Sequence, residues 1–184
     1  VPVTAQNRVP YLVTDKADVM LATFAISPER AKSVWFSTPY GATGSVIMAK
    51  KDVEIAGYDD LADKTVAVAR GSFTEQFLNN YAPESANILR LEDDATATAA
   101  FMSGQADAYG TAWPIAATLV KGAPDQLEIK YPMLKAWYGV GVKRGERDLL
   151  QWVNSFLFFH LNNGDLAKIY EDAVGTPLGD VPNL

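Results

Sequence analysis

The segment TVAVARGSFTEQF, residues 65–77, joins a short apolar run directly to the start of a helix. Thr65–Ala69 is almost uniformly apolar, which is typical of a short strand buried on both faces. Ser72 and Glu75 have the S-x-x-E spacing of a capping box, which marks a helix N-terminus. A buried strand that leads at once into a capped helix predicts an α/β fold.

The same alternation of short apolar runs and helical stretches continues along the chain. Strands that alternate with helices of this size predict βαβ units and a mostly parallel sheet. We predict further strands at Val1–Thr4, Ala17–Thr23, Gly44–Ala49, Asn87–Leu91, Ala106–Gly110 and Ala136–Val142, and helices at Ser72–Tyr81, Ala95–Ser103 and Thr111–Leu119.

The C-terminal part of the chain is helical in pattern. Glu146 to Asn162 contains neither proline nor glycine, and its apolar side chains recur at helical spacing over a wide face. That width predicts a helix buried on more than one side. Asn163-Gly164 marks its end, and Asp165 is expected to cap a second helix over Leu166 to Val174.

Composition excludes several classes of function. The chain has 184 residues, a net charge of −6, one histidine and no cysteine, which excludes a thiol nucleophile, a disulfide framework and a Cys-ligated zinc site. Because a nucleic-acid binder usually has a basic surplus, we expect no nucleic-acid partner. The acidic pairs lack the spacing of a calcium loop, so neither a metal nor a cofactor is predicted.

A second helix start has the sequence Ser27-Pro28-Glu29-Arg30. Ser27 suits the N-cap and Pro28 the first helical position, which places Arg30 in the first turn. A cation there opposes the helix dipole and needs compensation, which either a bound carboxylate or an ion pair with Glu29 or a nearby Asp would provide. In open α/β sheets, ligands bind beyond the carboxyl ends of the strands, where this helix start and the one at Ser72 are expected.

Four segments carry a resemblance to a known family. VPVTAQNRVPYL (1–12), ADVMLATFAISPERAKSVWFSTPY (17–40), LADKTVAVARGSFTEQF (61–77) and NNGDLAKIYEDAVGTPLGDVP (162–182) resemble the amino-acid-binding proteins of bacterial ABC importers. The opening segment is most similar to the glutamate/aspartate-binding branch.

The resemblance implies an α/β periplasmic-binding-protein fold of type II, with two lobes and the ligand held between them. Lobe one would comprise residues 1–49 and 137–184, and lobe two residues 50–136. Members of the family open lobe one with a strand, a helix and a strand ahead of the VPVT segment, so we expect an incomplete first lobe in this sequence.

The resemblance also implies roles for individual residues. Arg30 matches the arginine that forks onto the ligand α-carboxylate, a geometry that lysine cannot copy. Ser72 and the amide of Phe73 match the lobe-two groups that close on the same carboxylate. Thr23 matches a position whose carbonyl or hydroxyl meets the α-ammonium, and Arg8 matches the arginine that reaches a side-chain carboxylate. Alternatively, Arg8 is a surface arginine on the first helix.

Two positions depart from the family pattern. Ala25 stands where many members have a hydroxyl for the α-carboxylate, and Ala112 where many have the aspartate that pairs with the ammonium. Because a buried ammonium without a partner costs several kcal/mol, either Asp93 or Asp94 substitutes or the ligand lacks an ammonium. Thr111 remains nearby as a neutral donor or acceptor.

These features predict an extracytoplasmic solute-binding protein that captures a polar amino acid or related small carboxylate for import. Its partners would be ABC permease subunits, its location periplasmic or extracellular, and it would catalyse no reaction. One alternative is a dehydratase of the cyclohexadienyl type, with Asp93 or Asp94 as general acid. The other is a non-binding sensor or interaction module that dimerises through the first lobe.

Overall fold

The computed structural model describes residues 1–175, 177–178 and 181. The chain divides into two compact units. Unit 1 comprises Val1–Val3, Asn7–Thr43 and Ala136–Leu184, and unit 2 comprises Thr4–Gln6 and Gly44–Lys135. The lobe boundaries at 49/50 and 136/137 that the resemblance implies remain a prediction.

Helices and strands alternate along most of the chain. In chain order they are α1 (Arg8–Val13), β1 (Val19–Met20), α2 (Pro28–Ala31), β2 (Val34–Lys50), a 3₁₀ turn (Asp59–Leu61), β3 (Thr65–Ala69), α3 (Phe73–Tyr81), β4 (Asn87–Leu91), α4 (Asp94–Met102), β5 (Ala108–Ala112), α5 (Trp113–Gly122), β6 (Leu127–Lys143), α6 (Arg147–Asn162) and α7 (Asp165–Val174).

Unit 2 contains a mixed sheet. β3 pairs in parallel with both β4 and β5, whereas β5 pairs antiparallel with the second part of β2. In unit 1, β1 also pairs antiparallel, with β6. The prediction of a mostly parallel sheet is therefore wrong. The antiparallel pairs are formed with β2 and β6, two long strands that contribute residues to both units and that the sequence predicted only in part.

The core of unit 2 lies on both faces of its sheet. Alternate residues of β3 point to opposite sides, so Ala67 belongs to one buried cluster and Val66 and Val68 to another. Phe101 of α4 packs into the first cluster, and Leu78 of α3 packs into the second. Helices thus cover both faces, which is why every residue of β3 after Thr65 is buried.

In unit 1, the chain leaves the sheet early. The strand predicted over Ala17–Thr23 contains only Val19–Met20, and Val1–Thr4 lies outside the strands. In residues 22–26, several main-chain carbonyls accept hydrogen bonds from side chains instead. Tyr40 donates to the carbonyl of Ala22, Arg8 to that of Thr23 and Arg30 to that of Ala25. We call residues 22–26 the carbonyl segment.

The long helix α6 is buried on one side only. Val153 and Leu157 are buried, whereas Trp152, Phe158 and Phe159 are 64%, 71% and 62% exposed. The prediction of burial on more than one side is wrong, because the width of an apolar face does not determine whether another element packs against it.

The junction between α6 and α7 follows the predicted stop but not the predicted cap. Gly164 has a φ of +86°, the left-handed conformation expected of a helix stop. Gly164 itself occupies the N-cap position of α7, and Asp165 is the first helical residue, hydrogen-bonded to His160 and Asn163.

Candidate functional site

Unit 1 contains two buried arginines whose guanidinium groups donate to the carbonyl segment. Arg8 is the first residue of α1 and is 9% exposed, and its Nη1 donates to the carbonyl of Thr23 at 2.9 Å. The structure therefore brings the predicted residues Arg8 and Thr23 together. The alternative of a surface arginine is wrong, because the guanidinium is turned toward the main chain of the unit.

Arg30 takes the helix position that its sequence predicts. Ser27 caps α2 by accepting from the Arg30 N–H, and Pro28 occupies the first turn. The Arg30 side chain is 8% exposed, donates from Nη1 to the Ala25 carbonyl at 2.9 Å and lies 5.0 Å from the Phe24 ring centroid. Glu29 pairs with Lys32 and so does not provide the ion pair considered for Arg30.

The two guanidinium groups influence each other electrostatically. Burial, and secondly the positive charge of Arg8, lower the pKa of Arg30 to about 10. Burial raises the pKa of Tyr40 to about 12, although the charge of Arg8 acts in the opposite direction. At neutral pH unit 1 therefore concentrates two positive charges near one stretch of main chain. We call Arg8, Arg30 and the carbonyl segment the arginine cluster.

In unit 2, the remaining predicted residues gather at one edge of the sheet. β3, β4 and β5 run parallel, with Ala69 paired to Leu91 and Val68 paired to Gly110. Their carboxyl ends therefore lie side by side. Ser72 follows β3, Asp94 follows β4 and Thr111 lies at the end of β5. This is the edge at which α/β sheets bind ligands.

Ser72 caps α3 as predicted. Its Oγ accepts from the Glu75 N–H at 3.1 Å, which leaves the hydroxyl hydrogen able to donate elsewhere. The Glu75 carboxylate accepts from the Gly71 N–H at 2.6 Å and from Arg90 Nε at 2.8 Å. Phe73 is the first residue of α3, so its amide is one of the N–H groups without an intrahelical acceptor.

Asp93 and Asp94 have different roles. The Asp93 side chain caps α4 in a capping box with Thr96. The half-buried Asp94 carboxylate instead lies beside two hydroxyls of β5. Its Oδ1 is 3.0 Å from Tyr109 Oη and 3.4 Å from Thr111 Oγ1. We call Asp94, Tyr109 and Thr111 the aspartate cluster.

Sequence reasoning missed Tyr109. Its signal is weak: a single tyrosine among small residues in the strand AYGTA, two positions before Thr111 and therefore on the same face. Burial and, to a smaller extent, the negative charge of Asp94 raise the pKa of Tyr109. The phenol is therefore protonated at neutral pH and acts as a donor.

The described residues contain neither a candidate metal site nor a helix that could span a membrane. Within the part of the chain that the structure describes, no three His, Asp or Glu residues come together in a way that could hold a metal ion. Among the same residues, no helix has the length and apolarity that crossing a bilayer requires.

The sequence profile of the bacterial extracellular solute-binding proteins, family 3, matches residues 1–176. The chain belongs to this family. The glutamine-binding protein GlnH of Bacillus subtilis, an ABC transporter component, is 32% identical over 171 residues, which are 92% of this chain and 62% of that protein. The L-cystine-binding protein TcyJ of Escherichia coli is 30% identical, over 89% of this chain and 62% of that protein.

The chain thus spans less than two thirds of the length of these family members. Among solved structures, a P235GK mutant of the protein ArgBP from T. maritima superposes with a TM-score of 0.88 at 31% identity, covering 96% of this chain and 77% of that one. AncCDT-1, described as an ancestral amino acid-binding protein and a precursor of cyclohexadienyl dehydratase, gives 0.87 at 35% identity over 95% and 76%. The predicted family and the type II periplasmic-binding-protein fold are confirmed.

Proposed function

We propose that this protein captures a polar amino acid or related small carboxylate outside the cytoplasm and delivers it to the permease subunits of an ABC importer. Family membership and relatives that are described as binding glutamine, cystine or glutamate/aspartate support this proposal. The observation that carries it is the arginine cluster, in which Arg8 and Arg30 are both buried and both oriented by main-chain carbonyls.

Arg30 is the proposed α-carboxylate ligand. Burial strengthens the interaction of its guanidinium with an anion, because fewer water molecules compete for its N–H groups. The hydrogen bond to Ala25 fixes the plane of the fork before any ligand arrives. Pre-orientation of this kind lowers the entropy lost on binding. Arg8 is assigned to a second carboxylate of the ligand, and Thr23 remains assigned to the ammonium.

Unit 2 is assigned the complementary groups. The hydroxyl of Ser72 and the amide of Phe73 are proposed as further donors to the α-carboxylate. Asp94 is proposed as the acidic partner of the ligand ammonium, in place of the aspartate that Ala112 replaces, with Thr111 as its neighbour.

The test is a thermal-unfolding screen against the twenty amino acids, glutarate and succinate. Saturation at about 100 times the dissociation constant stabilises the fold by about 2.7 kcal/mol, which raises the melting temperature by several degrees. Arg30→Ala is expected to abolish that shift and to lower affinity by at least about a hundredfold. Arg144→Ala, an exposed arginine of unit 1, is the matched control. An unchanged shift in Arg30→Ala would refute the assignment.

We propose no catalytic activity. Glu75 accepts from the Gly71 N–H with one carboxylate oxygen and from Arg90 Nε with the other, so both of its oxygens are engaged. Hydrogen bonds from Thr96 lower the pKa of Asp93. Neither carboxyl is therefore suited to general acid catalysis. Turnover of prephenate, followed by its absorbance, would contradict this part of the proposal.

An exposed apolar face on unit 1 supports a second proposal, self-association. Leu21, Trp152, Phe156, Phe159 and Ile169 are 67%, 64%, 43%, 62% and 63% exposed, and four of the five line a groove of about 420 Å³. We call these five residues the α6/α7 face. Large aromatic side chains bury about 150–250 Å² each when fully covered, and the three aromatic residues of this face are already about half covered, so the face supplies only part of the roughly 800 Å² per partner of a standard interface.

A second copy of the chain is the occupant we propose for the α6/α7 face. Val19 of β1 lines the same groove, and β1 is an edge strand that pairs with β6 on one side only, so its other side can pair with the same strand of another copy. Light scattering after size-exclusion chromatography tests this. A dimer that Phe159→Glu dissociates is expected. A wild-type monomer at about 100 μM, well above the dissociation constants of stable dimers, would refute it.

A further inference from the structure

We infer that Tyr109 is a positioning residue for ligand selection, in that it holds Asp94 in the orientation that receives a ligand cation. This inference rests on the proposed function and adds to it a residue that sets the preference for aminated over unaminated ligands. The geometry of the aspartate cluster carries it.

Tyr109 is itself held rigidly. It lies on β5 with 0% exposure, and its ring centroid is 6.2 Å from that of Phe101 in the core of unit 2. Its hydroxyl oxygen lies 3.0 Å from Asp94 Oδ1 and 3.3 Å from the Asp94 main-chain carbonyl. A buried phenol that meets both the side chain and the main chain of one residue fixes where that carboxylate sits.

Thr111 acts on the same oxygen atom. It is 2% exposed, and its Oγ1 is 3.4 Å from Asp94 Oδ1. Both hydroxyls therefore approach Oδ1, and within the described residues no hydrogen bond reaches Asp94 Oδ2. The two hydroxyls thus hold the carboxylate by one oxygen and leave the other for an incoming donor. A primary ammonium, with three N–H groups and no acceptor, is the ligand group that this oxygen suits.

The neighbours of Asp94 in the chain offer a ligand ammonium little else to bind. Ala112 follows Thr111 directly and offers only a methyl group. Asp93 is committed to its cap, as its contacts with Thr96 show. Asp94 is therefore the half-buried carboxylate of this sheet edge that hydroxyls of β5 contact, and we assign its orientation to Tyr109. The Tyr109 phenol is protonated at neutral pH and lies within hydrogen-bond distance of Asp94 Oδ1, so it can donate to that oxygen.

The test compares paired ligands that differ only in the amino group: L-glutamate with glutarate, L-glutamine with glutaramate, and L-arginine with 5-guanidinopentanoate. Dissociation constants are measured by calorimetry for the wild type, Tyr109→Phe, Thr111→Val and Asp94→Asn. Tyr109→Phe is expected to weaken binding of the amino acid about tenfold and of its unaminated partner less than about twofold. Asp94→Asn is expected to weaken binding of the amino acid by more than Tyr109→Phe does, again with little effect on the unaminated partner.

The matched control is Tyr58→Phe, which removes a hydroxyl that has no hydrogen-bond partner among the described residues of the same unit. Equal weakening of both members of a pair by Tyr109→Phe, or weakening of neither, would overturn the inference. If Tyr109→Phe does not fold, the same ratio measured in Thr111→Val decides. Wild-type protein that binds none of the six ligands, with Arg30→Ala indistinguishable from it, would overturn the proposed function and this inference together.

Discussion

Unit 1 fixes positive charges with its main chain, whereas unit 2 fixes a negative charge with its side chains. Arg8 and Arg30 each donate to a carbonyl of the carbonyl segment, at 2.9 Å in both cases. Asp94 is contacted by the hydroxyls of Tyr109 and Thr111. The arginines are buried, whereas the aspartate is half-exposed.

This difference determines which substitutions each cluster tolerates. Main-chain carbonyls persist whatever side chain is present, so the arginine cluster depends on the path of the backbone and on its close packing. Hydroxyls can be deleted one at a time, so the aspartate cluster can be adjusted by single substitutions that leave the fold intact. Unit 1 is thus expected to respond to backbone changes, and unit 2 to the loss of single atoms.

Gly141→Ala is the substitution with the largest expected effect. A Cβ at position 141 of β6 would lie 2.6 Å from Phe24 Cε1 and 3.1 Å from Leu12 Cδ1. Because Phe24 belongs to the carbonyl segment, relief of this overlap displaces the main chain that holds both arginines. We expect a loss of about 3 kcal/mol in the free energy of unfolding, measured by urea denaturation.

Gly57→Ala is the control for this substitution, since nothing lies within 4 Å of a Cβ at Gly57. A stable Gly141→Ala variant that still binds ligand with wild-type affinity would break the comparison, because the backbone of unit 1 would then not be the holder of the arginine cluster.

Arg8→Met is expected to discriminate between acidic and neutral ligands. The substitution keeps the length of the stem and removes the charge assigned to a second carboxylate. Affinity for glutamate should fall about tenfold or more, as expected for hydrogen bonds to a charged group, whereas affinity for glutamine should change less than about threefold. Titration calorimetry measures both. Equal losses for the two amino acids would assign Arg8 to holding Thr23 and not to the ligand.

Ser72→Ala is a single-atom deletion at the sheet edge of unit 2. The variant loses the acceptor for the Glu75 N–H, which costs about 1 kcal/mol of unfolding free energy. It also loses the hydroxyl assigned to the ligand carboxylate, so affinity should fall by no more than about tenfold. Ser72→Thr retains the hydroxyl and should restore both quantities. A variant with unchanged stability and affinity would contradict the side-chain dependence of unit 2.

The smallest expected effect is that of pH on the arginine cluster. Because the pKa of Arg30 is lowered only to about 10, the guanidinium stays protonated well below that value. Affinity for glutarate, which has no amino group to titrate, should be constant from pH 6.5 to 8.5 within a factor of about two. A steady decline over this range would show that Arg30 is not the group that holds the carboxylate.

The local elements of both clusters could be predicted from short sequence patterns. Ser27-Pro28 and Ser72 begin helices as expected, and β3 and β4 have the predicted bounds. Such patterns depend on residues within one turn or one strand of each other. Family membership and fold could likewise be predicted, since the four quoted segments carry them in order along the chain.

Contacts between distant residues could not be predicted in this way. The partners Arg8 and Thr23 are fifteen residues apart, as are Asp94 and Tyr109. No local pattern distinguishes a tyrosine that positions a carboxylate from one that only fills a core. The prediction that α6 is buried on more than one side was wrong for a related reason. The sequence shows the apolar pattern of the helix but not which elements pack against it.

The sequence by itself determined the α/β class, the family, the helix starts that place Arg30 and Ser72, and the absence of thiol chemistry. Only the tertiary structure decided that Arg8 is buried, that Asp93 caps a helix while Asp94 offers a carboxylate oxygen, and that one face of α6 remains open. The physical reason is range. Caps and strand alternation are set by neighbours in the chain, whereas burial and the orientation of charged groups are set by whatever the fold brings against them.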